Sequence, residues 1–541
     1  YYVGNVIKDR SSLLVATPEL FQDRFNINVF LNSNVLSIDR QKKEITYEKQ
    51  DREKFQMPYD ELVIATGAKP IALPIEGFQR KGVFTVRSIP DVDLIKQHVS
   101  QTQARSAVVV GGGFIGLEMA ENLHRLGLNV TIIELASHLL PPLDEEMTFP
   151  LQAYIKQDLN INIITGDAVV DCVDSEKSLM QLKTKNGVEI DTDMCVLAIG
   201  VKPESDLARD AGLKLGVKNT IAVDAQMRTS DNDIYALGDV AQVEDFVTRV
   251  ETNVPLAGPA QRQGRVVAEA ILGGNRRFRG VQATAVLGIG EMTVATTGES
   301  QVSLQRQRAQ GKIDFDWGVV YVHPGSHAEY YPMATTMHLK LFYRQDNGCV
   351  LGAQAVGMEG VERRIDVLSM AIQCNATVQQ LSEAELCYAP AYGSAKDPVN
   401  MAGMVATNAI EGLSPLASWN DVLDTNNVTP RTILDCRLEE EHAAQHIPPP
   451  NAHTTVVNIP LEQLRRRHAE LPRDQLIAVH CVVGQRAHSA VRLLRQLGFD
   501  ARNLSGGITT YQLFTKSNNY IVCSSKEERD TQIKRLADQS R

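Results

Sequence analysis

An α/β fold of several domains is what this sequence predicts, on three observations. The chain has 541 residues, too many for one core and suited to about three or four domains. An apolar run, Ala107-Val108-Val109-Val110, leads into the turn Gly111-Gly112-Gly113-Phe114-Ile115-Gly116 and then a helical pattern over residues 117–123. A second strand, loop and helix follow the same order much later, from Leu476-Ile477-Ala478-Val479-His480 through Cys481-Val482-Val483-Gly484-Gln485-Arg486 into residues 490–497.

Composition narrows the class. Apolar residues make up 43% of the chain and charged ones 22%, and no apolar run approaches the roughly 18 residues that span a bilayer. The 55 basic against 65 acidic residues give a net charge of −10 with the two signs interspersed, which argues against nucleic acid as a partner. Eight scattered cysteines form no CxxC pair, so neither a disulfide frame nor a metal site is expected, and a reducing cytoplasm suits them. The chain opens at Tyr1 in a segment that reads as the inside of a domain, so further residues are expected upstream.

From the N-terminal side, residues 28–66 alternate in the strand manner, including Asn28-Val29-Phe30-Leu31, and end in the buried strand before Ala65-Thr66-Gly67. The same meander and glycine-ended strand recur over 161–200, finishing at Ala198-Ile199-Gly200, so two related nucleotide-binding halves are implied. Between them, Gly111, Gly113 and Gly116 stand at the spacing that lets backbone N–H groups approach a pyrophosphate at a helix N-terminus. The next strand, Val130-Thr131-Ile132-Ile133, ends in Glu134, 23 residues after Gly111, placed to accept from both ribose hydroxyls. A 2′-phosphate would be repelled there, and no Arg follows within residues 135–140, so NADH is favoured over NADPH. Gly238-Asp239, after the strand Ile234-Tyr235-Ala236, reads either as a ligand to a diphosphate-linked sugar or as a plain helix cap. Residues 291–410 carry strands and two helical stretches without nucleotide motifs, and Gly412-Leu413-Ser414-Pro415 marks a linker.

The order of these motifs resembles the pyridine-nucleotide disulfide oxidoreductase family, within it the coenzyme A-disulfide reductases and NADH-dependent persulfide reductases that carry a fused rhodanese domain. The resemblance implies two Rossmann-like nucleotide-binding domains, an α+β dimerisation domain and a C-terminal rhodanese α/β domain. The expected boundaries are 1–95 (FAD-binding), 96–222 (NAD-binding), 223–290 (FAD-binding return), 291–411 (dimerisation), 412–417 (linker), 418–515 (rhodanese) and 516–541 (charged tail). It implies that Thr66, Gly67, Gly238 and Asp239 hold FAD, that Glu118 lines the nicotinamide pocket, that Gly200 is a further cofactor-binding residue, and that a first glycine motif and a redox cysteine lie upstream of Tyr1. In a homodimer, Tyr330 is expected at the substrate thiol, Tyr388 near the flavin and Lys396 on a coenzyme A phosphate, with Arg24 as a further candidate for that anion. In the rhodanese-like unit Cys481 is the sulfur-carrying nucleophile and Arg486 its anion-stabilising partner, since N–H groups converging at a helix N-terminus favour a thiolate. The implied activity is NADH-driven reduction of coenzyme A persulfide or disulfide. The rival readings are an NADH oxidase or peroxidase, or a non-catalytic persulfide-binding protein.

Overall fold

The computed structural model describes residues 1–517 and Tyr520, so the charged tail expected over 516–541 lies largely outside the described residues. The chain divides into two compact units, residues 1–139 with 161–283 and residues 140–160 with 284 onward.

The first unit is built on a five-stranded parallel sheet in the order Val83–Thr85, Cys195–Leu197, Ser106–Val110, Asn129–Glu134, Asn162–Thr165. Its central strands are buried on both faces, which is why they read as unbroken apolar runs instead of alternating ones. Two three-stranded antiparallel meanders, over residues 33–58 and 169–192, stand where the repeated pattern put them. Asn28-Val29-Phe30-Leu31 is irregular and not a strand, because Asn26 and Asn32 on either side take left-handed conformations (φ 54° and 51°) that break an extended run. A pair of parallel strands, Leu62–Ile64 and Ile234–Ala236, completes this unit with the helix Ala257–Ile271.

The second unit joins a five-stranded antiparallel sheet to a four-stranded parallel one. The antiparallel order is Ala285–Ile289, Met292–Gly298, Val350–Gly357, His338–Arg344, Trp317–Val322. Residues 140–160, inside the span expected for NAD binding, belong to this unit. The fully buried Lys340 ammonium explains it: Nζ donates to Asp144 at 2.7 Å and Glu146 at 2.6 Å, and the Tyr321 hydroxyl donates to Glu146 at 2.8 Å. Truncating Lys340 would leave two buried carboxylates without their cation.

The parallel sheet runs Thr454–Asn458, Arg431–Asp435, Leu476–His480, Ala501–Asn503. The linker is ordered: Ala417 N–H donates to the Asn503 carbonyl (3.0 Å) and Asn503 N–H to Pro415 (2.7 Å), extending the sheet edge. The two sheets are tied by Ser505, whose Oγ accepts from Tyr321 N–H (2.6 Å) and donates to the Tyr321 carbonyl (2.8 Å). A buried histidine pair adds to this: His338 Nδ1 and His323 Nδ1 are 2.8 Å apart, and His323 Nε2 lies 2.7 Å from Thr510 Oγ1. No helix of the described residues is long and apolar enough to cross a membrane.

Candidate active sites

In the first unit Val110 and Leu197 are register partners on neighbouring parallel strands, so the turns that follow them meet at one sheet edge. Gly111 adopts φ 111°, and a Cβ on it would overlap the Ala198 carbonyl; a Cβ on Gly116 would overlap the Gly111 carbonyl oxygen. Around Gly113, by contrast, a Cβ would meet nothing within 4 Å. The first and last glycines are thus demanded by protein packing, and the middle one keeps open the approach to the helix Phe114–Arg125. Glu134 is buried and pinned over this turn, Oε2 accepting from Gly112 N–H at 2.6 Å and Oε1 from Ala136 N–H at 2.8 Å. Each oxygen retains a lone pair for a ribose hydroxyl. Glu118 Oε1 accepts from the Tyr1 hydroxyl at 2.9 Å, and the Gly200 carbonyl accepts from Ile71 N–H at 3.0 Å.

Ile64 pairs with Ala236 on the two-stranded sheet, so the Thr66-Gly67 and Gly238-Asp239 turns stand side by side beyond the carboxyl ends of parallel strands, where α/β sheets bind ligands. Thr66 Oγ1 donates to the Glu204 carbonyl (2.6 Å) and Gly238 N–H to Gln263 Oε1 (2.7 Å), which fixes both turns. Burial pushes the Asp239 carboxyl up, opposed by the Arg87 charge. A partly desolvated acid at that edge fits a hydroxyl-rich, diphosphate-linked group. Arg24 is exposed in the last turn of the helix Pro18–Phe25.

In the second unit, Tyr330 and Tyr388 are neighbours, Tyr388 pushing the Tyr330 hydroxyl up, yet they are 77% and 52% exposed. Tyr392 and Lys396 are exposed as well. The loop over 481–486 follows the strand Leu476–His480 and opens the helix Gln485–Gln496. Cys481 Sγ accepts from Gly484 N–H at 3.1 Å, and Ile508 N–H donates to the Cys481 carbonyl at 2.9 Å. The Cys481 thiol is pulled down to about 6. The largest cause is the neighbouring Cys436 thiol; burial opposes it, and the N–H groups of Ala487, Gly484 and Val483 add to it. Arg486, expected on the thiolate, is gripped by both oxygens of Glu441 at 2.7 Å. The residues that sequence reasoning passed over are therefore Cys436 and Glu441. The only signal for Cys436 was that it follows Asp435 as Cys481 follows His480, each just past a strand end. Below the loop, burial pushes Asp435 up, but Arg437, His480 and His442 hold it at about 2, while burial keeps His480 neutral, at about 4.

Three family models match the chain: pyridine nucleotide-disulphide oxidoreductase over residues 3–264, its dimerisation domain over 285–398, and a rhodanese-like domain over 418–513. The coenzyme A disulfide reductase of Staphylococcus haemolyticus is 34% identical over 408 residues, 75% of this chain and 89% of that protein. The chain belongs to the pyridine nucleotide-disulphide oxidoreductase family. Among solved structures it is similar to reduced CoADR-RHD of Bacillus anthracis (39% identity, 95% of this chain and 90% of that one, TM-score 0.89). It is also similar to a NAD-dependent persulfide reductase from A. fulgidus (36% identity, 94% and 92%, TM-score 0.81). Both similarities run through the rhodanese-like domain. Membership implies the use of FAD and NAD(P)H, and the two turns described above fit those groups.

Proposed function

We propose that the protein uses NADH to reduce persulfides or disulfides of coenzyme A or a related low-molecular-weight thiol, and that Cys481 carries sulfane sulfur to or from that reaction. The observation that carries this reading is the Cys481 loop. A buried sulfur held as thiolate by backbone N–H groups and a neighbouring thiol is equipped to accept sulfane sulfur, and it stands in one chain with a dinucleotide turn. A disulfide alone offers a sulfur carrier nothing to carry, so the fusion favours persulfide as substrate.

Gly111, Gly113, Gly116 and Glu134 would hold the dinucleotide, with Glu134 selecting NADH; Thr66, Gly67, Gly238 and Asp239 would hold FAD. FAD, when bound, supplies a two-electron carrier between nicotinamide and sulfur. The exposed Tyr330 and Tyr388, with Lys396, would cover the site of a partner subunit in a homodimer. The test is NADH oxidation with coenzyme A persulfide under argon. The reading expects one hydrosulfide released per NADH consumed, whereas oxidation that needs oxygen and ignores persulfide would replace it with an oxidase.

A further inference from the structure

In the reading above Cys436 only tunes the Cys481 sulfur, yet the fold brings it close enough to raise a further role. Arg431–Asp435 and Leu476–His480 are neighbouring parallel strands with Asp435 opposite His480, and Cys436 N–H donates to the His480 carbonyl at 3.0 Å. Cys436 and Cys481 are each the next residue after that last pair, so they leave the ends of two neighbouring strands. Neighbouring strands lie about 4.8 Å apart, inside the roughly 4.4–6.8 Å of Cα separation that a disulfide accepts. Both sulfurs are reduced, buried in one apolar cluster with Leu434, Ile459 and Val479. The Cys436 thiol donates to the His480 carbonyl at 3.1 Å, and the two sulfurs are near enough to shift each other's ionisation in opposite directions.

We propose that Cys436 is a resolving thiol: it attacks the inner sulfur of the Cys481 persulfide, forming a Cys436–Cys481 disulfide and expelling the outer sulfur as hydrosulfide. The step rests on the reading that Cys481 takes up sulfane sulfur. It balances without an outside reagent: Cys436–SH and Cys481–S–S⁻ give Cys436–S–S–Cys481 and HS⁻. The Cys436 proton leaves on the hydrosulfide, the sulfane sulfur is reduced by two electrons, and the two cysteine sulfurs are oxidised by one each. Two equivalents of a low-molecular-weight thiol, RSH, then return both cysteines to thiols and depart as RSSR. That product is a disulfide of the class proposed for the NADH-driven half, so a diffusible molecule links the two chemistries.

The arrangement favours this step over storage of the persulfide. The Cys436 sulfur shares the apolar cluster of the atom it must attack, while Gly484 N–H donates to that atom from the loop. A Cys436 thiol held protonated by burial and by Cys481 spares the resting thiolate, and its proton is released only with the leaving sulfide.

The full-length protein, with thiols removed, is exposed to a sulfane donor such as thiosulfate, and peptides are mapped by mass spectrometry without reduction while sulfide is trapped. The proposal expects one hydrosulfide per chain and a cross-linked pair of peptides holding Cys436 and Cys481, lighter than the two free thiols by about 2 Da. In Cys436→Ser, which keeps a hydrogen-bond donor, and in Cys436→Val, which keeps an apolar strand end, the Cys481 peptide should instead hold about 32 Da more, one sulfur atom. Sulfide release should fall at least about tenfold in both variants. Wild-type protein that keeps the extra sulfur, with no cross-link and the sulfide yield of Cys436→Ser, would overturn the resolving role while leaving Cys481 as carrier. Failure of all three proteins to take up sulfur would overturn the loading, and with it both readings.

Discussion

The turn over 111–116 and the loop over 481–486 use one device for opposite purposes. Each follows a buried parallel strand, bends at glycine and ends on a helix N-terminus, where unpaired N–H groups favour negative charge. The first turn is built to meet a group from outside: Gly113 is clear of other protein atoms, and Glu134 sits pinned at the rim. The second is closed on a side chain of its own, with Cys481 1% exposed and its sulfur accepting from the loop. A loop that stores its own anion needs a neighbour to tune it; a loop that borrows one needs clearance. Cys436 supplies the first requirement and Gly113 the second.

The largest test of that contrast removes the stored anion. Cys481→Ser should lower sulfurtransferase activity toward thiosulfate by more than about a thousandfold, because a serine hydroxyl is not ionised near neutral pH. NADH-driven reduction of a small persulfide should stay largely intact. Equal loss of both activities would merge two sites that the fold builds separately. The next test separates packing from clearance. Gly116→Ala drives a Cβ into the Gly111 carbonyl and should cost both stability and NADH affinity, by about 2–3 kcal/mol each. Gly113→Ala meets no protein atom, so its melting temperature should stay near wild type while NADH affinity drops about tenfold or more. An unaltered NADH affinity in Gly113→Ala, read by fluorescence titration, would show that the dinucleotide does not approach there.

These residues also show what could be read in advance. The dinucleotide turn was legible because its parts are local: four glycines within six residues and an acid at the end of the next strand. The sulfur loop was legible to the same extent, as six consecutive residues. What tunes it was not, since Cys436 lies 45 residues earlier and reaches Cys481 only through strand pairing, which leaves no periodic trace. The Glu441 partner of Arg486 was hidden for the same reason: it belongs to a separate helix, Glu439–Ala444. The grouping of residues 140–160 with the second unit depends on Lys340, a buried cation whose neighbours no local pattern announces.

Mild acid should act on the sulfur loop's support. Burial, with His338 adding to it, pushes His323 well below the usual histidine range, and burial holds His338 at about 4. A group with a depressed folded-state pKa contributes its full stability above the unfolded value, about 6.5, and loses it as pH falls toward about 4. Between pH 7 and pH 5 His338 alone should cost about 2 kcal/mol. The helix Gly507–Phe514 that receives His323 through Thr510 also donates to the Cys481 carbonyl, so hydrogen exchange should quicken there. His338→Asn should flatten the dependence, and a slope unchanged by that substitution would place the acid sensitivity elsewhere.

The smallest expected effect tests the rim of the other turn. Glu134 is held by Gly112 N–H at 2.6 Å and Ala136 N–H at 2.8 Å, so it cannot swing aside when a 2′-phosphate arrives. The following residues, Leu135, Ala136 and Ser137, bring no cation to offset the repulsion. NADH should therefore exceed NADPH in kcat/KM by at least about tenfold, or about 1.4 kcal/mol. Glu134→Ala should close most of that gap without inverting it, because it removes a repulsion and adds no attraction for phosphate. It should also lower kcat/KM for NADH itself, since the ribose loses an acceptor and Gly112 N–H a partner. A wild-type ratio near one would mean that the ribose hydroxyls are read by some group other than Glu134. The contrast between a loop that borrows its anion and one that stores it would then rest on Gly113 and Cys481 alone.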